Sequence, residues 1–577
     1  MAGSLNKRGQ KILKKFSRVS IKASEEGKEH IKENFIAKLG NIRKIRLLVL
    51  EWSLLVVVLI LLSVAQAFWF GESYAVDAYV DGGTYIEATI GRVSSMNPLF
   101  ATTNSEKVLS KLMFATLVAD DYSGHPGPEL ASTVRYTDEG KTWRIHLRDG
   151  LVWSDGEPLT NKDVLFTIEL IQNPAVNTIF TANLEGVKVH EEENGDIVFD
   201  LPSAYADFET ALAFPVVPEH ILKDTPLKTL VEANFSKSPV TSGAFTFNAV
   251  QGTKEEERVY YLTANTNYFL GKPMVSSFAV HTYEDEDDVV AAINAGGVTA
   301  TAEVDGKESV QVTSESYNKR YSKISSGVFA FLNTSRGSLS SADMRRAIRL
   351  GLNLAEIRAA APDTEALDFP ILNSQIELSN LPSIPTGDAE TAREKISELG
   401  GGETINLEIA TVNSGYLPEV TAKLAENLEA LGIKCSVSVY AESQEFVANI
   451  VSKRNYDILV YSVELGADPD PLAYYHSSQA KASGMNLSNY RNALVDDLLI
   501  GARGTMDETL RARKYEKFLE YWATDAPAIG LYQANMTYIY NKNVQTYNES
   551  NVLTTAIDRF ANVEDWAVNK GTKNQTP

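Results

Sequence analysis

The sequence predicts an α/β protein whose body folds into two lobes behind one transmembrane helix, and three observations carry that reading. Residues 52–71 are a run of 20 residues without a charge. At ~1.5 Å per residue, a helix of that length reaches across the ~30 Å hydrocarbon core of a bilayer. From residue 405 to residue 465 strand and helix patterns alternate, an order that calls for parallel strands and right-handed crossovers. The earlier part of the body is rich in hairpin patterns instead, and that asymmetry separates two lobes. At 577 residues the chain is too long for one core.

The apolar run fixes the orientation of everything else. Residues 1–46 hold 13 Lys/Arg and 4 Asp/Glu, a net of +9, and the remainder holds 41 basic and 71 acidic residues, a net of −30. Arg43, Lys44 and Arg46 precede the run, so the positive-inside rule puts residues 1–46 in the cytoplasm as a basic tail and the body outside the cell. Ile12, Phe16 and Val19 give that tail the spacing of a surface helix; a disordered tail is the alternative. Trp52, Phe68, Trp69 and Phe70 suit interfacial belts. Ala65-Gln66-Ala67 matches a signal-peptidase site, but the basic lead is long for a signal peptide. Residues 47–71 therefore read as an uncleaved anchor and residues 72–80 as a linker. The acidic body presents no basic face for nucleic acid. Its charge reads as solubilising, with a preference for cationic ligands as the alternative.

Local patterns place the elements of the body. GGTYIEATIG (82–91) is a strand between glycine turns, and residues 94–121 are a loop leading into a helix. In KTWRIHLRDGLVWSDGEPLT (141–160) the alternation of Trp143, Ile145 and Leu147 marks a half-buried strand. Asp149-Gly150 and Asp155-Gly156 supply turns. Thr160 and Asp163 form a capping-box pattern before a helix that Pro174 ends. Further on, INLEIATV, IKCSVSVY and YDILVYSVEL read as strands, and PEVTAKLAENLEALG and SQEFVANIVSK as the helices between them. Val420, Leu424, Leu428 and Leu431 share one helix face, and Gly432 ends that helix.

Catalytic signatures are missing. There is no G-x-S-x-G elbow and no H-E-x-x-H pair. Gly140-Lys141-Thr142 mimics the end of a phosphate loop, but Arg135 stands where the upstream glycine belongs. The seven histidines, at 30, 125, 146, 190, 220, 281 and 476, show no metal-ligand spacing. The acidic run at 284–288 lacks the glycine of a calcium loop and precedes VVAAINAGG, so it reads as a helix N-terminus. Cys435 is the only cysteine, which excludes an intramolecular disulfide; it alternates with Ile433, Val437 and Val439 and reads as a buried strand residue. No cofactor, metal or enzyme activity is expected.

GADPDPLAYYHSSQ (466–479) follows the apolar run YDILVYSVEL. That puts two carboxylates at the C-terminal edge of a sheet, where open α/β sheets bind ligands. The segment resembles the ligand-cleft segment of the family 5 extracellular solute-binding proteins of ABC transporters, the oligopeptide, dipeptide and nickel type. A Gly-Gly-Thr strand, an Asn-Pro-Leu loop, LRDGLVWSDGEPLT (147–160), TSGAFTF (241–247), and the segments 265–297 and 329–353 extend the resemblance from Gly82 to about Val544. The resemblance implies a hinged periplasmic-binding-protein-like fold of type II, in the large subclass with an extra subdomain. Lobe one would span 81–325 with the subdomain near 113–235, lobe two 326–530, and 531–577 would return to lobe one. Two crossings form a hinge pair that allows closure on a ligand. A tether through a lipidated cysteine, common in that family, does not fit Cys435.

The same resemblance nominates site residues. Asp468 matches the aspartate that holds a peptide amine, with Asp470 as a nearby alternative; turn formation is the competing role for both. Thr102 and Asn104 fall on the loop that faces the ligand, and Tyr532 falls near the return crossing. Tyr474 and Tyr475 are candidates for the cleft wall, with core packing expected for at least one. The Trp and Arg that peptide binders often carry before the Ala-Asp turn are missing between 456 and 467, and Arg454 and Arg491 are the nearest guanidiniums. The expected function is a membrane-anchored receptor of an ABC importer, monomeric, delivering a peptide-like solute to permease subunits. Alternatives are a scaffold or chaperone-like protein on the same fold, or a receptor for a metal chelate or sugar.

Overall fold

The computed structural model describes residues 46–73, 75–120, 126–176, 178–252, 254, 257–441, 444–548 and 552–574. The basic tail, with its amphipathic spacing at Ile12, Phe16 and Val19, lies outside the described residues. The chain divides into two compact units, a large one of residues 79–570 and a small one of residues 1–78 and 571–577. In the small unit Arg46–Ser73 is one helix of 28 residues, longer at both ends than the uncharged run. Its stretch Leu48–Gln66 has a mean hydropathy of 2.7, with none of it buried, and is long and apolar enough to cross a membrane. The segment expected as a linker holds the end of this helix and a strand, Ala75–Val80.

The large unit is built on a sheet of 11 strands. At one end Lys434–Tyr440, Asn406–Val412 and Ile458–Glu464 lie parallel, in the order the alternating pattern requires. At the other end Thr84–Ile90, Ser277–Tyr283, Val259–Ala264 and Phe245–Gln251 are neighbours. Two long strands join the ends: Tyr317–Leu332 and Ala528–Asn541 pair antiparallel from Tyr317↔Asn541 to Phe331↔Ala528. The ladder is irregular between Lys323 and Gly327. A separate sheet of four strands orders Ala131–Thr137, Thr142–Leu147, Ile197–Asp200 and Lys188–Glu191.

Buried side chains form two main clusters. One draws on residues 85–300 and 536–566 and includes Trp143, Trp153 and Trp566; the other draws on residues 328–532 and includes Trp522. The long paired strands run from one cluster to the other. Gly530 sits in the second crossing where the backbone of residues 367–368 lies close, and a Cβ there would strike the Leu367 carbonyl. In the second cluster three arginines of the helix Ala342–Gly351 cap the helix Glu508–Asp525. Arg345 donates to the Asp525 carbonyl (2.9 Å), Arg346 to Thr524 (2.8 Å) and Arg349 to Ala523 (2.6 Å). These carbonyls have no partner inside their own helix, and the guanidiniums also oppose its negative end.

Several local expectations match the structure. Thr160 N donates to Asp163 at 2.8 Å at the start of the helix Asn161–Gln172. Val420, Leu424, Leu428 and Leu431 are all buried against the sheet. Asp285 caps the helix Glu286–Asn294 by accepting from Asp288 N. Cys435 corrects its expectation: it is only half-buried, and Val437 and Val439 beyond it are exposed by 39% and 50%. Its strand, Lys434–Tyr440, is the outermost of the sheet, so the alternation there leads into solvent.

Candidate functional site

The turn after Ile458–Glu464 is held by its backbone. Leu465 N and Gly466 N both donate to the Ser325 carbonyl on the first crossing strand, at 2.7 and 3.2 Å. Gly466 takes a φ of +70° to make the bend. The buried amide of Gln375 then donates to the carbonyls of Leu465, Gly466 and Asp468 at 2.9, 3.0 and 2.9 Å. The turn therefore needs neither aspartate to close it, although Asp470 Oδ1 does accept from Leu472 N at 2.9 Å.

Both aspartates face groups contributed from far along the chain. Asp468 Oδ2 accepts from the Tyr205 hydroxyl at 2.6 Å. Asp470 pairs with Arg503, whose guanidinium also lies 5.0 Å from the centre of the Tyr205 ring. Asp207 pairs with Arg511 at 2.6 Å, and its charge acts on Asp468. Ala206 N donates to the Arg503 carbonyl at 2.7 Å. Burial, then the charges of Asp470 and Asp207, push the Asp468 carboxyl well above the usual range, against the pull of the Tyr205 hydrogen bond. Burial also drives Asp470 up, and Arg503 opposes it. Three carboxyls thus gather beside two guanidiniums, and Asp468 is the one held by a tyrosine hydroxyl instead of an ion pair.

Tyr532 stands elsewhere, in the lining of a 220 Å3 cavity beside the crossing strands with Glu286, Asp305, Asp363, Tyr416 and Asn535. A second cavity of 620 Å3 is lined by Lys323, Ser325, Glu365, Asp368 and Gln533. Asp468 and Asp470 line neither. The Tyr474 hydroxyl donates to the Glu464 carbonyl, so it braces the strand end; Tyr475 is core, packed on Phe518 and Trp522.

Thr102 and Asn104 are taken up by acids of their own region. Thr102 donates through N and hydroxyl to Glu106 Oε2, at 2.9 and 3.2 Å, within the cap of the helix Asn104–Met113. Asn104 donates to Glu303 at 2.9 Å. Of the nominated residues, then, the structure brings together Asp468 and Asp470, with Tyr474 bracing the strand end just before their turn. Arg454 and Arg491 serve backbone carbonyls, Arg454 those of Asn486 and Gly484 and Arg491 that of Ala480. Sequence reasoning missed Tyr205, Asp207, Arg503 and Arg511, and no local pattern marks them.

Comparison with known proteins settles the family. Residues 125–486 match the sequence model of the bacterial extracellular solute-binding proteins, family 5, middle region. The chain belongs to that family. It is 24% identical over 504 residues to the oligopeptide-binding protein AppA of Bacillus subtilis, covering 81% of this chain and 89% of that one. The solved structure of that AppA in complex with a nonapeptide superposes with a TM-score of 0.70 at 21% identity, covering 85% of this chain and 100% of the other. NikZ of Campylobacter jejuni, solved with Ni(L-His), gives a TM-score of 0.71 at 21% identity, covering 84% and 99%. The fold is therefore the two-lobed α/β fold of family 5, as the resemblance implied, and the chain is a solute-binding protein rather than an enzyme.

Proposed function

We propose that this protein is the membrane-anchored extracellular receptor of an ABC importer, which binds a peptide-like solute in a cleft between its lobes and delivers it to permease subunits. The observation that carries the reading is the arrangement of two cores joined by the paired crossing strands, with cavities on the flanks of those strands, in a chain of family 5. In this reading lobe one comprises residues 81–325 and 531–577, with an extra subdomain near 113–235, and lobe two residues 326–530. Residues 317–332 and 528–541 are the hinge. The helix Arg46–Ser73 serves as the anchor, with residues 1–46 on the cytoplasmic side, and the receptor acts as a monomer. The likeness to a protein named for oligopeptide binding favours a peptide over a chelate or a sugar.

Asp468 is the proposed partner of the solute's amine. In the described state the Tyr205 hydroxyl occupies it, so solute entry exchanges that contact for an ammonium. That occupancy also favours one rival, a scaffold on the same fold without transport. Purification of the full chain from its own membranes separates the two. A receptor brings permease subunits with it, and its melting temperature rises when a peptide mixture is added. A chain that comes alone, with a melting temperature unmoved by peptides, overturns the proposal.

A further inference from the structure

The 220 Å3 cavity beside the crossing strands is lined by one sign of charge. Glu286, Asp305 and Asp363 contribute carboxylates, and no Lys, Arg or His lines it. The cations of the surrounding segments are engaged elsewhere: Lys307 with Glu419, Lys323 with Glu365, Arg358 with Asp368, and Lys423 with Glu426. A ring of carboxylates alone is ordinary on an acidic body. Two neutral groups set this one apart. Tyr532 is only 5% exposed and lines the cavity, and its hydroxyl, in the field of Asp305 and Tyr416, opens onto the cavity rather than onto a protein partner among the described residues. Asn535 donates its amide N–H to the Asp363 carbonyl and leaves its side-chain oxygen buried without a partner. Buried polar atoms are left unpaired only rarely.

The lining therefore holds a surplus of acceptors and lacks a donor that brings positive charge. Among the described residues no group of three His, Cys, Asp or Glu is placed to hold a metal ion, so the donor that fits is organic. The volume lies below the ~300–1,000 Å3 of pockets for whole drug-sized ligands, which suits a single side-chain-sized group. Burial first, then Asp305 and the neighbouring Glu308 and Glu303, push the Glu286 carboxyl up to about 7. That is the response of a carboxylate without a counter-charge.

We propose that this cavity is a subsite for one cationic group of the solute, a primary ammonium or a guanidinium, with Glu286 and Asp305 as its charge partners and Tyr532 and Asn535 as further acceptors. The inference rests on the reading of the protein as a solute receptor and adds the class of solute to it. The ammonium of a lysine side chain donates three hydrogen bonds, and a guanidinium five, enough to reach the unpaired Asn535 oxygen and the Tyr532 hydroxyl while the carboxylates neutralise the charge.

The test uses the full chain in detergent and three pools of pentapeptides, alanine throughout except for one lysine, one norleucine or one glutamate at each position. Norleucine keeps an apolar stem and drops the charge. Calorimetric titration is expected to give at least tenfold tighter binding of the lysine pool than of the norleucine pool, with the glutamate pool weakest. Glu286→Gln with Asp305→Asn is expected to narrow the lysine-to-norleucine ratio to within about twofold. Equal, measurable binding of the lysine and norleucine pools to the unaltered protein overturns the subsite and leaves the receptor reading standing. Binding of none of the pools overturns the peptide-receptor reading, and the subsite falls with it.

Discussion

Tyr205 and Asp468 are 263 residues apart in the chain, and the tyrosine hydroxyl donates to the aspartate at 2.6 Å. The contact ties a segment next to the four-stranded sheet to the turn that ends a strand of the large sheet. Around it, Ala206–Arg503 and Asp207–Arg511 repeat the same connection. The Tyr205–Asp468 contact is a modest part of that connection, since an intramolecular hydrogen bond contributes about 0.5–1.5 kcal/mol net.

Tyr205→Phe is expected to loosen this link without unfolding either core. Stability should fall by about 1 kcal/mol. Hydrogen exchange should accelerate together in the segments around 205 and around 468, because each protects the other. Faster exchange confined to the neighbourhood of residue 205 would show that the contact joins nothing.

Asp468→Ala is expected to weaken binding of a peptide mixture by roughly 2–5 kcal/mol, the cost of leaving a buried amine without its carboxylate. Folding should survive, because Gln375 and Ser325 hold the turn through backbone atoms. Unchanged affinity in a protein that folds poorly would assign Asp468 to the turn instead.

Arg559 and Glu87 form an ion pair of 2.6 Å with both side chains almost wholly buried, and Tyr85 donates to the same carboxylate at 2.9 Å. Burial drives the Glu87 carboxyl up while Arg559 pulls it down. Arg559→Ala strands that acid in the first core and should cost about 3–5 kcal/mol in denaturant unfolding. Arg559→Met combined with Glu87→Gln should recover much of the loss. A single variant as stable as the parent would contradict the buried pairing.

Glu286, Glu303 and Glu564 are each pushed up from 4.5 to about 7, chiefly by burial. A carboxyl with a raised native pKa binds more protons folded than unfolded between those values. Its contribution is therefore present below pH ~4.5 and is lost as pH rises to about 7. His281, lowered by burial, works in the opposite direction just below 6.5. These carboxyls, with Glu87, Asp468 and Asp470 also driven up by burial, outweigh the imidazole, so the melting temperature of the body should fall from pH 5 to pH 8. A rise across that range would contradict these environments.

What the sequence disclosed was local or sequential. The capping pair Thr160–Asp163, the helix face of Val420 and Leu424, and the parallel order of three strands depend on spacing alone, and the structure carries each of them. Cys435 shows the limit: alternation gives the face of a strand but not whether another strand or water lies beyond it. The site shows it more sharply. The strand-then-Asp/Pro pattern leads to Asp468, whereas Tyr205, Asp207, Arg503 and Arg511 converge there only through the tertiary fold. The resemblance nominates Thr102 and Asn104, yet they donate to Glu106 and Glu303, an arrangement set by this chain's own acids.

The most direct test of solute capture is native mass spectrometry of the full chain taken from its own membranes. The account predicts one non-covalent, peptide-like adduct per chain, displaced by added peptide and released with its mass unaltered. A chain that never carries a solute and gains none from a peptide mixture, or one that releases a chemically changed product, would contradict it.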